Sequence, residues 1–145
     1  MLEVPVVRLV PGAAVPSFAH RDDAGADLVA REETRLAPGG GRALVGTGVC
    51  VEVPVGFAGL VLPRSGLALR HGVTCLNAPG LIDPGYRGEV GVILVNTDPE
   101  DAYEVRCGDR IAQLVVVQVE QVRFIPALSL SESERGHGGF GHTGR

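Results

Sequence analysis

Ile111-Ala-Gln-Leu-Val-Val-Val-Gln-Val119 is the stretch whose reading decides the fold. Its β-branched residues favour extended backbone, because two heavy substituents on Cβ crowd a helical turn but sit well on a pleated surface. Only Gln113 and Gln118 interrupt its apolar character, so this strand needs cover on both faces. A central position inside one subunit and a contact with a second subunit would each supply it, and periodicity does not choose between them.

Outward from this stretch, β-branched runs recur between Gly, Pro and Asp punctuation at residues 3–10, 27–30, 42–45, 49–53, 59–62, 73–76 and 89–96. Short runs so regularly spaced indicate an all-β sandwich or barrel. The segment Ser65-Gly-Leu-Ala-Leu-Arg-His71 contains good helix formers and stops at Gly72, which predicts a turn or two of helix after Arg64 and little helix elsewhere. After Pro126 the pattern fails. Ser129, Ser131 and Ser133 lead into glycines at 136, 138, 139, 141 and 144, a polar composition that packs no core. The chain therefore divides into one β domain, 1–128, and a flexible glycine-rich C-terminal arm, 129–145. In isolation, Arg135 and Phe140 in that arm read either as linker residues or as groups that meet phosphate and stack on a ring.

At 145 residues and 15.1 kDa the chain has the size of a single domain, and no apolar run is long enough to span a bilayer. All 13 basic residues are arginine, against 17 acidic residues and a net charge of -4, which argues against a nucleic-acid coat. The arginines reflect either a GC-rich genome or bidentate phosphate recognition, and only their positions can separate the two. Cys50, Cys75 and Cys107 show no C-x-x-C spacing and are odd in number, which points to a reducing, cytoplasmic setting. The four histidines form no zinc-ligand spacing. The N-terminus carries Glu3 and Pro5, lacks the layout of a signal peptide, and is read as the first strand.

Five polar segments interrupt the β-rich pattern: Ala24-Gly-Ala-Asp-Leu-Val-Ala30, Pro63-Arg-Ser-Gly-Leu-Ala-Leu-Arg70, Asn77-Ala-Pro-Gly-Leu-Ile-Asp-Pro-Gly-Tyr-Arg-Gly-Glu89, Gly108-Asp-Arg-Ile-Ala-Gln-Leu114 and Arg135-Gly-His-Gly-Gly-Phe-Gly-His-Thr-Gly144. In this order and spacing they resemble the five motifs of the trimeric dUTPase family, from about residue 20 to the C-terminus. The resemblance implies a distorted jelly-roll, a homotrimer with active sites assembled from three chains, and hydrolysis of dUTP to dUMP and pyrophosphate. That activity would limit uracil in DNA and supply dUMP for thymidylate synthesis.

The resemblance also assigns roles. On its own Asp83 reads as a turn-former; by resemblance it activates the water that attacks the α-phosphorus in line, a task suited to a carboxylate where the chemistry needs mainly positioning. Tyr86, within the same expected hairpin, would pack under the deoxyribose and exclude a 2′-hydroxyl. Asn77 and the backbone at Leu81 and Ile82 would read uracil; Thr is commoner in the family at position 81, which a backbone role tolerates. Arg64, Ser65 and Gly66 would hold the triphosphate at a helix N-terminus, with Ser65 otherwise readable as an N-cap. Gln113 would contact the α-phosphate, whereas Asp109 and Arg110 read as a structural turn and salt bridge. Asp27 would reach Mg2+, the implied cofactor, through coordinated waters. Arg135 would clamp the γ-phosphate, Phe140 would stack on uracil, and Gly141 beside it would contact the substrate. His142 departs from the family's usual Ser.

A second reading is dCTP deaminase of the same fold, but that family has Arg-Ser-Ser where this chain has Arg64-Ser65-Gly66, and its glutamate base has no clear counterpart here. A third is a nucleotide-sensing or protein-binding module that keeps the fold without turnover. The intact set of Asp27, Arg64, Ser65, Asp83, Tyr86, Gln113, Arg135 and Phe140 favours the first reading.

Overall fold

A computed structural model describes residues 1–134 and 136–139. It contains eleven strands and one helix among these residues: β1 Val6–Arg8, β2 Ala26–Val29, β3 Thr34–Leu36, β4 Arg42–Gly46, β5 Val49–Val51, β6 Phe57–Leu62, α1 Ser65–His71, β7 Val73–Cys75, β8 Gly80–Ile82, β9 Gly91–Asn96, β10 Tyr103–Val105 and β11 Arg110–Gln118. The all-β expectation with one short helix after Arg64 holds.

All strand pairings are antiparallel. The largest sheet has the order β2-β11-β6-β8, and a three-stranded sheet runs β4-β9-β7; β1 pairs with β5 and β10 with β3. Leu28, Leu36, Val45, Leu94, Val105 and Ile111, each almost fully buried, belong to the shared core. Burial of such side chains contributes about 1.5–3 kcal/mol apiece, before the entropy of ordering them is subtracted.

Residues 111–118 of this stretch lie in the long strand β11, flanked by β2 on one side and β6 on the other. Its first half is covered within the chain: Ile111, Ala112 and Leu114 are buried. Val115, Val116 and Val117 stay only half-buried. Cover within the chain therefore accounts for the first half of the strand and only partly for the second. Just beyond, Val122, Phe124, Ile125, Leu128 and Leu130 are all exposed in a segment without strand or helix.

Several local expectations need correction. Strand β1 is confined to three residues of the expected 3–10, and β5 stops at Val51 because the next residue opposite it is Pro5, whose carbonyl accepts the Glu52 N–H at 2.9 Å but which has no N–H to return to the ladder. The N-cap of α1 is Arg64, in extended conformation, and its side chain makes no capping bond; Ser65 is already the first helical residue. Residues 77–89 form no β-hairpin: β8 pairs with β6, while β9 pairs with β4 and β7, so the connecting loop passes from one sheet to the other. No helix among the described residues is long and apolar enough to cross a membrane.

Candidate active site

The predicted residues gather in two clusters. The first stands on one row of the large sheet, where Asp27 on β2 faces Gln113 on β11, which in turn faces Leu62 on β6. Directly opposed residues project from the same face of a sheet. Two residues after Leu62 the chain reaches Arg64, whose Nη1 donates to the Arg110 carbonyl at 2.9 Å and whose Nε lies 3.4 Å from Asp27 Oδ1. Arg110 Nη1 approaches Asp27 Oδ2 at 3.3 Å. The Asp27 side chain is only 8% exposed, so it is a buried carboxylate held between two arginines whose side chains are 27% and 54% exposed. Ser65 and Gly66 begin the adjoining helix, and the Arg70 guanidinium lies against Gly66. Two cations on one buried anion leave a surplus of positive charge, a setting complementary to a polyphosphate.

The expected turn and salt bridge at Asp109 and Arg110 is divided between partners. Asp109 accepts the Arg106 N–H at 2.8 Å to form the turn, whereas the Arg110 ion pair goes to Asp27.

The second cluster surrounds a cavity of about 140 Å³ between β8 and β9. Asn77, Gly80, Leu81, Ile82 and Tyr86 line it together with Val61, Glu89 and Ile93. Ile82 is buried and anchors β8 to the core, while the Leu81 side chain is 63% exposed, as a residue that acts through its backbone can be. The Tyr86 N–H donates to the Asp83 carbonyl at 3.0 Å, closing a tight turn, and the Tyr86 hydroxyl donates to the Glu89 carbonyl at 2.8 Å. Asp83 is exposed, and among the described residues its carboxylate takes no hydrogen bond or ion pair. The turn is thus closed by backbone, which leaves the Asp83 side chain available for chemistry.

The clusters do not converge within one chain. Asp27 is level with Leu62, whereas Ile82 pairs with Gly59, so Asp83 lies about 13 Å farther along the sheet at ~3.3 Å per residue. Three strand spacings between β2 and β8 add about 14 Å across it. Arg135, Phe140 and Gly141, with His142, lie outside the described residues.

Sequence reasoning assigned no role to one strong interaction beside the cavity. Arg31 Nε donates to Glu89 Oε1 at 2.7 Å, and the same oxygen accepts the Gly48 N–H at 2.7 Å. Burial of the Glu89 carboxyl works to raise its pKa, but the hydrogen bonds from Arg31 and Gly48 and the charge of Arg31 outweigh it and hold the value below the ordinary range. Glu89 closes the third polar segment, which was the available signal; its partner lies 58 residues away in sequence.

Comparison with known proteins places these clusters in context. The family model described as dUTPase matches residues 12–144. A deoxyuridine 5'-triphosphate nucleotidohydrolase of Thermobifida fusca is 52% identical over 143 residues, covering 99% of this chain and 79% of the relative. The dUTPase of Staphylococcus bacteriophage 80alpha, solved with dUPNHPP, superposes with a TM-score of 0.90 at 29% identity, covering 100% of both chains. A mutant dUTPase from phage phi11 of S. aureus, described with a structural Mg(II) ion, gives 0.80 at 25% identity and covers 90% of this chain and 100% of its own.

Proposed function

The chain belongs to the dUTPase family and is a dUTP diphosphatase, and from that premise we propose that it forms dUMP and pyrophosphate by attack of an Asp83-held water on the α-phosphorus. Asp83 orients the water and accepts its proton. Arg64, with Ser65, Gly66 and Gln113, holds the phosphates in line, and the charge-assisted bonds of Arg64 strengthen as negative charge moves toward the leaving pyrophosphate. Asn77 and the backbone of Leu81 and Ile82 read uracil in the cavity beside β8, with Tyr86 under the deoxyribose. Residues 129–145 act as an arm that brings Arg135 to the γ-phosphate and Phe140 and Gly141 to the nucleotide. The same reading takes residues 1–128 as one distorted jelly-roll domain in a cytoplasmic enzyme that limits uracil in DNA and supplies dUMP for thymidylate synthesis.

Asp27 is the residue that would hold Mg2+. Its Oδ1 is buried and accepts no hydrogen bond, which suits an acceptor for waters carried by a hard cation. Among the described residues no group of three His, Cys, Asp or Glu could form an all-protein metal cage, which attachment through water does not require. When bound, the ion supplies charge neutralisation for the phosphate oxygens.

The observation that carries the proposal is the division of the predicted residues into two clusters that lie too far apart to serve the same phosphorus within one chain. A homotrimer that joins the loop of one subunit to the phosphate cluster of another resolves it. The half-buried Val115 to Val117 and the exposed apolar segment that follows are suited to subunit contacts. Co-refolding Asp83→Asn and Asp27→Asn in equal amounts, assayed at an Mg2+ concentration too low to support the Asp27→Asn variant alone, tests this. Random assembly returns about one quarter of the sites to wild-type composition, so about a quarter of the activity should reappear. A mixture as inactive as its components, or a 15 kDa species alone on sedimentation at micromolar concentration, overturns the shared site.

A further inference from the structure

We propose that Glu89, clamped by Arg31, is a positioning residue that fixes the Tyr86 ring and thereby sets discrimination against a ribonucleotide. The inference rests on Tyr86 as the residue under the deoxyribose and concerns what holds it there.

The loop of residues 83–88 is strung between two sheets. Its first end is fixed by the pairing of β8 with β6. The second end is fixed at Glu89 and Val90, where the Val90 N–H donates to the Val49 carbonyl at 2.8 Å and Thr47 Oγ1 donates to the Val90 carbonyl at 2.6 Å. The Glu89 carboxylate adds a charged anchor at this end, beside that of Arg87, whose Nη2 donates to Glu52 Oε1 at 2.8 Å: Arg31 Nε and the Gly48 N–H both reach Glu89 Oε1 at 2.7 Å. Charge-assisted bonds of this length are about twice as strong as neutral ones.

The anchor is coupled to the ring through a single residue. The Tyr86 hydroxyl donates at 2.8 Å to the backbone carbonyl of Glu89, whose side chain is the one clamped. Two bare Cα positions make room. A Cβ at Gly88 would fall 2.5 Å from Tyr86 Oη and 2.7 Å from Cζ, so the ring lies directly over that glycine. A Cβ at Gly46 would fall 2.6 Å from both Arg31 Nε and Glu89 Oε1, so the ion pair crosses that strand where no side chain intervenes. The Glu89 carboxylate therefore holds the carbonyl to which the phenol is tied, and the cavity lined by both residues keeps its width only while the clamp is closed.

The readout is kcat/KM for dUTP relative to UTP, measured on the full chain well below each variant's melting temperature. Glu89→Ala should lower this ratio about 10-fold, chiefly by raising the rate on UTP, because a loosened ring excludes the 2′-hydroxyl less strictly. Glu89→Gln keeps an acceptor for Gly48 and Arg31 and should recover most of the ratio. Tyr86→Phe removes the tie and should lower the ratio as Glu89→Ala does. Should Glu89→Ala not fold, Gly46→Ala parts the ion pair with both partners present and should give the same shift. Tyr86→Ala separates the two levels of the argument. A lower ratio there, with Glu89→Ala and Gly46→Ala at the wild-type value, overturns the positioning role and leaves the Tyr86 reading standing. An unchanged ratio in Tyr86→Ala overturns both.

Discussion

Asp27 Oδ1 lies 3.4 Å from Arg64 Nε, yet it is a buried oxygen that accepts no hydrogen bond. The two groups are paired by charge but not by N–H direction. The carboxylate is thus neutralised and still has an acceptor site to give, while Arg64 spends a directed bond on the Arg110 carbonyl. A second cluster, around Tyr86 and Asp83, shares no such contact with it.

Asp27→Asn tests the cation side of this arrangement. The amide keeps the shape but loses the charge, so the Mg2+ concentration for half-maximal activity should rise about 10-fold or more. Folding should change little, because Arg64 and Arg110 are partly exposed and regain water when the charge is lost. An unchanged Mg2+ titration would remove Asp27 from metal binding.

Asp83→Asn tests the attacking side. The carboxylate has no structural bond among the described residues, so its replacement should leave stability and the calorimetric affinity for a non-hydrolysable dUTP analogue unaltered. The turnover number should fall by about 10²–10⁴, the usual contribution of a positioned general base. Wild-type turnover in this variant rejects the mechanism.

Glu89 makes stability depend on pH with a defined sign. Its pKa in the folded chain lies below the ordinary glutamate value of 4.5, so its ion pair stabilises fully above that value and loses its effect as pH falls through the lower folded value. Urea melts of wild type and Glu89→Gln should therefore differ at pH 7 and converge as the pH is taken well below 4.5. A difference that persists unchanged in strong acid would place the stabilisation elsewhere.

How much was legible beforehand follows from the range of the interactions. β11, β6 and β9 were readable because six to nine residues of largely apolar, extended character declare themselves locally, and α1 because helix formers run up to Gly72. β3 and β10 were not: Thr34-Arg35-Leu36 and Tyr103-Glu104-Val105 are three-residue strands whose Arg35 and Glu104 are paired with each other, 3.0 Å apart, across the ladder. β8 was hidden by the Gly and Pro around it, which signal turns as strongly as Gly80-Leu81-Ile82 signals strand. The individual site residues were legible as motifs. That Arg110 serves Asp27, 83 residues away, and Arg31 serves Glu89 were consequences of register, which no local pattern states.

The C-terminal arm supplies the last test. Residues 129–134 and 136–139 are exposed, and Leu130, at 91% exposure, packs against no core. Deleting residues 134–145 should shift Tm by no more than about 2 °C, since a segment outside the core contributes little to unfolding. The same deletion removes Arg135 and Phe140. A charge-assisted bond and a ring stack together contribute about 2–4 kcal/mol, so kcat/KM for dUTP should fall about 30- to 1,000-fold. Single Arg135→Ala and Phe140→Ala variants should each account for part of that loss. A truncated chain that melts as wild type and hydrolyses dUTP at the wild-type rate would return these residues to the role of a linker.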